Sequence, residues 1–131
     1  MKNLISYKKT YGISQPFKAG KMFKAIRVDS RYDYIDIFKS SSIIIENFFN
    51  QYYMPFVNSY LIVIRIPKNP TNDDYIKAYK NFANTECNEV IFPYLYINDN
   101  DGIDIIRNLQ KEYEKIKSGN NPTIIIQEKC L

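Results

Sequence analysis

Histidine and tryptophan are absent from the 131 residues, and glycine (4) and cysteine (2) are scarce. The lack of histidine removes Ser–His and Cys–His nucleophile pairs, HExxH zinc sites and the side chain that carries protons near neutral pH. Four glycines, at 12, 20, 102 and 119, cannot build a Walker loop or a dinucleotide fingerprint. The stretch KAGK at 18–21 holds one glycine and is expected to precede a strand, whereas a phosphate loop follows one. No cofactor is implied. Cys87 and Cys130 are too far apart to form a motif and read as free thiols of a reducing compartment. Cys130 does not stand at the position that prenylation requires.

Long apolar runs are missing too. The longest, YLIVIRIP at 60–67, is strand-sized and interrupted by Arg65, far short of the roughly 18–20 residues that span a bilayer. The first residues hold no apolar core with a small-residue cleavage site, so no secretory leader is expected. A cytoplasmic address without a membrane partner is the expectation.

Acidic residues are absent from the first 28 positions, which carry Lys2, Lys8, Lys9, Lys18, Lys21, Lys24 and Arg27. The whole chain has 18 basic and 14 acidic side chains, so the remainder is mildly acidic behind a basic front. Tyr7, Tyr11, Phe17 and Phe23 are interleaved with these cations. Lysines beside aromatic rings suit single-stranded nucleic acid, with cations for the backbone and rings for the bases. An acidic protein surface would be attracted by the same charges. The candidate anion-binding set is Lys8, Lys9, Tyr11, Lys18, Lys21, Lys24 and Arg27. Gly12, Pro16 and Gly20 break any sustained period, so residues 1–22 read as a basic irregular arm and residues 23–131 as an α/β domain.

Periodicity supplies the elements of that domain. FKAIRVD (23–29) and YDYIDIF (32–38) alternate and are joined at Ser30-Arg31, which predicts a hairpin. Residues 41–53, opening among the serines at 40–42, have a wide apolar face and predict a helix stopped by Pro55. Leu61–Ile66 reads as a strand covered on both faces. Thr71 and Asp74 have capping-box spacing ahead of a helix carrying Tyr75, Ile76, Tyr79, Phe82 and Ala83 on one face. EVIFPYLYI (89–97) is a strand in which Pro93 demands an edge or a bulge. The helix after Asp99 has acids at its start, a stripe of Ile103, Ile106, Leu109, Tyr113 and Ile116, and Gly119 at its end. PTIIIQEK (122–129) is the final strand. The fold class is therefore a single α/β domain. Its mixed sheet combines the hairpin with parallel strands from an α-β-α-β-α-β order and is covered by about three helices.

Parallel strands bring their carboxyl ends to one edge, where open α/β sheets place ligands. That edge would gather Lys68, Asn69, Asp73 and Asp74, then Asp99 and Asp101, then Gln127, Glu128 and Lys129. Converging carboxylates there give an alternative reading, a magnesium-dependent phosphoesterase or nuclease-like enzyme. In it Asp99, Asp101, Glu128 and Lys129 would be catalytic, and Asp73, Asp99 and Asp101 would hold the metal. Gln127-Glu128-Lys129 resembles the acid-x-Lys of restriction-type nucleases in its lysine alone, with Gln127 where the acid belongs. A calcium loop fails on NDNDGID, because aligning its glycine on Gly102 places Ile97 first and Asn108 twelfth. Capping two helices accounts for Asp73, Asp74, Asp99 and Asp101 without any metal.

The composition favours a non-enzymatic binding or accessory protein. It would act through its basic amino-terminal segment on nucleic acid or an acidic protein surface, and a homo-oligomer is compatible. An inhibitor or subunit docking on a host protein is a further alternative compatible with the same features. Richness in Ile, Asn, Lys and Tyr suits a low-GC genome such as that of a virus or other mobile element.

Overall fold

A computed structural model describes residues 9–28, 31–39, 43, 45–46, 59–115 and 121–129. They form β1 (Lys9–Pro16), β2 (Ala25–Val28), α1 (Arg31–Phe38), β3 (Ser59–Ile66), α2 (Asn72–Ala83), β4 (Glu89–Tyr96), α3 (Asn100–Lys115) and β5 (Thr123–Gln127). The strands make one five-stranded sheet in the order β2-β3-β1-β4-β5. β1, β3, β4 and β5 are parallel, and β2 is antiparallel on β3. The expected α/β class with a mixed sheet holds.

Two apolar layers sandwich this sheet. Ile64, Ile66, Val90, Phe92 and Leu95 pack with Tyr75, Tyr79 and Phe82 of α2 and with Ile106 and Leu109 of α3. On the opposite face Ile13, Val28, Leu61 and Val63 pack with Tyr34 and Phe38 of α1 and with Ile45. Alternation along β3 sends Leu61 and Val63 to one layer and Ile64 and Ile66 to the other, so both faces are covered. Tyr79 ties α2 to the start of β5, its hydroxyl donating to the Pro122 carbonyl at 2.8 Å.

The segment read as an arm contributes the middle strand. Lys9–Pro16 lies between β3 and β4, in register from Lys9↔Ser59 to Pro16↔Ile66. Gly12 sits in this strand because α2 and β4 come close: a Cβ there would stand 2.6 Å from a Phe82 ring carbon and 2.8 Å from Val90 Cγ1. Pro16, the other presumed breaker, is the strand's last residue.

The predicted hairpin is half right. Ala25–Val28 is a strand, but it pairs with β3, and YDYIDIF lies in α1. In so short a run Tyr34 and Phe38 satisfy the helical period, and both are fully buried while Tyr32 is 85% exposed. The helix expected over 41–53 falls largely outside the described residues, with Ile43, Ile45 and Glu46 helical. Thr71 and Asp74 form the expected capping box, the Asp74 amide donating to Thr71 Oγ1 at 3.2 Å and the Thr71 amide to Asp74 Oδ2 at 2.8 Å. Pro93 sits where the β4–β5 register breaks, since Ile91 pairs with Ile125 but Tyr96 pairs with Gln127. The Gln127 amide, turned so that its nitrogen donates, reaches the Phe92 and Pro93 carbonyls there at 3.3 Å.

Candidate functional site

The chain leaves β1 towards the α1 face and leaves β3 and β4 across the α2–α3 face. The carboxyl edge beside β1 is therefore the topological switch point of the sheet, the usual ligand position in such folds. Residues 18–21 precede β2, as expected, but they also follow β1. The loop 17–24 still differs from a phosphate cradle, since it leads into β2 and not into a helix.

This loop is fastened at several points. The Ala19 amide donates to the Phe38 carbonyl at 3.1 Å, and Arg65 Nη1 donates to the Gly20 carbonyl at 2.7 Å. The Phe23 amide donates to the Arg65 carbonyl at 2.8 Å, and Asn81 Nδ2 donates to the Phe23 carbonyl at 2.6 Å. Gly20 has φ 98°, a left-handed backbone that glycine adopts without strain. Phe23 has φ 61°, which costs a residue with a Cβ about 1–2 kcal/mol. Its two hydrogen bonds, at about 1 kcal/mol each, and Lys77 Nζ 4.4 Å from its ring centroid offset that strain.

Charge on the loop is one-sided. Lys18, Lys21 and Lys24 are exposed and form no ion pair among the described residues. Lys68, two residues beyond β3, is exposed at the same edge. Arg27 is exposed on β2 and already has an interaction partner. Lys9 belongs to the middle strand, and Lys8 lies outside the described residues.

Of the four aromatics, Tyr7 lies outside the described residues, and the other three pack inwards. Phe17 is 7% exposed, with its ring centroid 4.6 Å from that of Phe38. Phe23 is half-buried under Lys77, and Tyr11 is half-buried in β1. These rings face the protein's own core because the segment pairs within the sheet.

The acids do not assemble. Among the described residues no group of three or more Cys, Asp or Glu side chains is placed to hold a metal ion. Asp73 is exposed in the first turn of α2, and Asp74 accepts the Thr71 amide. Asp99 precedes α3 and accepts the Ile103 amide through its carbonyl at 2.8 Å, and Asp101 is exposed in the first turn. Glu128 is exposed, while the Lys129 backbone is clamped by the Asn98 side chain, with bonds of 2.9 and 2.8 Å. Gly102, the pivot of the rejected calcium alignment, lies buried in α3 against the Tyr96 backbone.

Two groups escaped the sequence reading. Beyond Ile13↔Ile91 the pairing of β1 with β4 ends, and Ser14 and Gln15 are buried there, 1% and 4% exposed. Ser14 Oγ has no hydrogen-bond partner among the described residues. Nothing in SQP distinguishes a buried strand end from a turn, so the sequence carries no signal for them. Cys87 is also buried, its thiol donating to the Glu89 carbonyl at 3.2 Å, and burial pushes its pKa up to about 12. That thiol is a core group and no nucleophile. Cys130 lies outside the described residues.

No described helix is long and apolar enough to cross a membrane. Comparison with protein-family models, curated proteins and solved structures yields no match.

Proposed function

We propose that the protein is a non-enzymatic binding or accessory protein that docks on an anionic partner through the lysine loop Lys18–Lys24. The observation that carries this reading is the combination of three exposed lysines, without an ion-pair partner among the described residues, with a backbone already fixed by Arg65, Phe38 and Asn81. A loop ordered in advance loses little conformational entropy on docking, so its charges act at nearly full strength. Lys68 extends the basic rim along the carboxyl edge. With Phe17 and Phe23 packed inward, the partner is recognised by its charge and not by stacked bases.

The test is a salt series of binding to labelled duplex DNA, single-stranded DNA and polyglutamate, for the natural protein and for Lys18→Ala/Lys21→Ala/Lys24→Ala. Neutralising about three phosphates gives a log K against log salt slope near −3 for duplex, and the triple variant should lose most of it. Duplex should bind at least as tightly as single strands. Absence of polyanion binding at low salt, or binding unchanged in the triple variant, refutes the reading.

A further inference from the structure

The two edges of the sheet differ in how they are protected. Edge strands offer unpaired N–H and C=O groups to any other strand, and monomeric proteins blunt them with charge, proline, bulges or short length. β2 is blunted: it is four residues long, carries Arg27 and follows Lys24. β5 reads TIIIQ, with no charge or proline between Thr123 and Gln127. Ile125 and Ile126 are 38% and 44% exposed there. Among the described residues no strand lies outside β5.

The hydrogen bonds fix which backbone groups face outwards. The Thr123 amide donates to Asn88, the Gln127 carbonyl accepts from Ile97, and the Lys129 amide donates to Asn98. Residues 123, 125, 127 and 129 therefore direct their polar backbone groups inwards, towards β4 and the loop after it. Ile124 and Ile126 present theirs to the open side.

We infer that β5 is a homodimer interface, in which two copies pair antiparallel about a twofold axis through Ile125 and join their sheets into one. The register is self-complementary. Ile124 of one copy faces Ile126 of the other in a hydrogen-bonded pair that exchanges both bonds, and the reciprocal pair does the same. Ile125 meets its own copy in the close, non-hydrogen-bonded position between them. No charge opposes a like charge, because Glu128 falls opposite Pro122 and Lys129 opposite Asn121. A foreign strand could use the same open row, but a second copy is always present and matches this apolar stretch end to end. The interface is distinct from the lysine loop and independent of what that loop binds.

Interfaces below about 1,200 Å² are weak or transient, so sedimentation should run from about 1 μM to about 1 mM. The weight-average mass should climb from 15.5 kDa towards double that value with concentration. Ile126→Pro removes an outward N–H that β4 does not use, so it should leave the fold intact and abolish the rise. In a Cys130→Ser background, Ile125→Cys should form an intermolecular disulfide on mild oxidation, since non-hydrogen-bonded pairs bring Cα atoms to about 4.5 Å. Ile124→Cys should not cross-link. A protein monomeric throughout, or a dimer unaffected by Ile126→Pro, overturns the inference. Equal cross-linking at 124 and 125 overturns the register, and the Cys variants keep the test decisive should Ile126→Pro not fold.

Discussion

The sharpest test of the fold is a single methyl group at Gly12. If residues 9–16 were a free arm, Gly12→Ala would be neutral or would stabilise the protein by about 0.4–1 kcal/mol through the entropy of the unfolded chain. In the middle strand the new Cβ stands 2.6 and 2.8 Å from Phe82 ring carbons and 2.8 Å from Val90 Cγ1. Carbon atoms pack best at about 3.5–4.0 Å, so α2 or the strand must give way. Overpacking of this kind costs about 1–3 kcal/mol, and taking its mid-value of about 2 less an entropic gain of about 0.7 leaves a net loss of about 1–2 kcal/mol. Urea unfolding should show a lower midpoint with unchanged slope, and the melting temperature should fall by about 3–8 °C. Val90→Ala opens space at the same spot, so the double variant should be more stable than the sum of the single changes by about 0.5 kcal/mol or more. A neutral or stabilised Gly12→Ala protein would refute the placement of β1, and the two-layer packing with it.

Other changes probe separate parts of the argument. Thr71→Ala removes one arm of the capping box and should cost about 1 kcal/mol in urea unfolding, with α2 fraying first in hydrogen exchange. Arg65→Met keeps the aliphatic stem but loses the 2.7 Å bond to the Gly20 carbonyl. At about 1.5–3 kcal/mol for such a bond, tryptic cleavage at Lys18 and Lys21 should accelerate about tenfold or more. The Cys87 thiol, with its pKa pushed up to about 12, should resist a thiol reagent at pH 8 until the protein is unfolded. Because the unfolded thiol ionises near 9 while the folded one holds its proton, this group's contribution to stability is intact below pH 9. It declines as pH rises from about 9 to about 12, and unfolding midpoints across that range should follow.

Elements with one strong period or one stereotyped cap were legible before any coordinates. Thr71 and Asp74 marked the start of α2, and the stripe through Ile103, Ile106 and Leu109 marked α3. Pro93 announced an edge or a bulge, and in the interior strand β4 it marks a break of register with β5. What failed was the reading of KTYGISQP, where Gly12 and Pro16 look like punctuation. Their meaning is tertiary: Gly12 is small because Phe82 lies against it, and no local rule contains Phe82. The run YDYIDIF failed differently, since over seven residues its apolar positions fit both periods and only burial of Tyr34 and Phe38 chooses between them.

The same tertiary fact reshapes the functional argument. A stretch rich in lysine and aromatics has two parts once it enters a sheet: the rings go inwards, and the charges collect wherever the chain turns. Here the turn lies at the carboxyl edge, beside the point where β1 and β4 separate, and it holds Lys18, Lys21 and Lys24 outwards while Phe17 and Phe23 anchor it. Anchoring by the aromatics is what turns a sequence-level charge excess into a fixed arrangement of cations. A free arm would spread those charges over many geometries and grip any polyanion loosely. A fixed loop rewards one spacing of negative charge over others, so selectivity between duplex phosphates and a flexible polyglutamate, at equal ionic strength, is the property that separates the two.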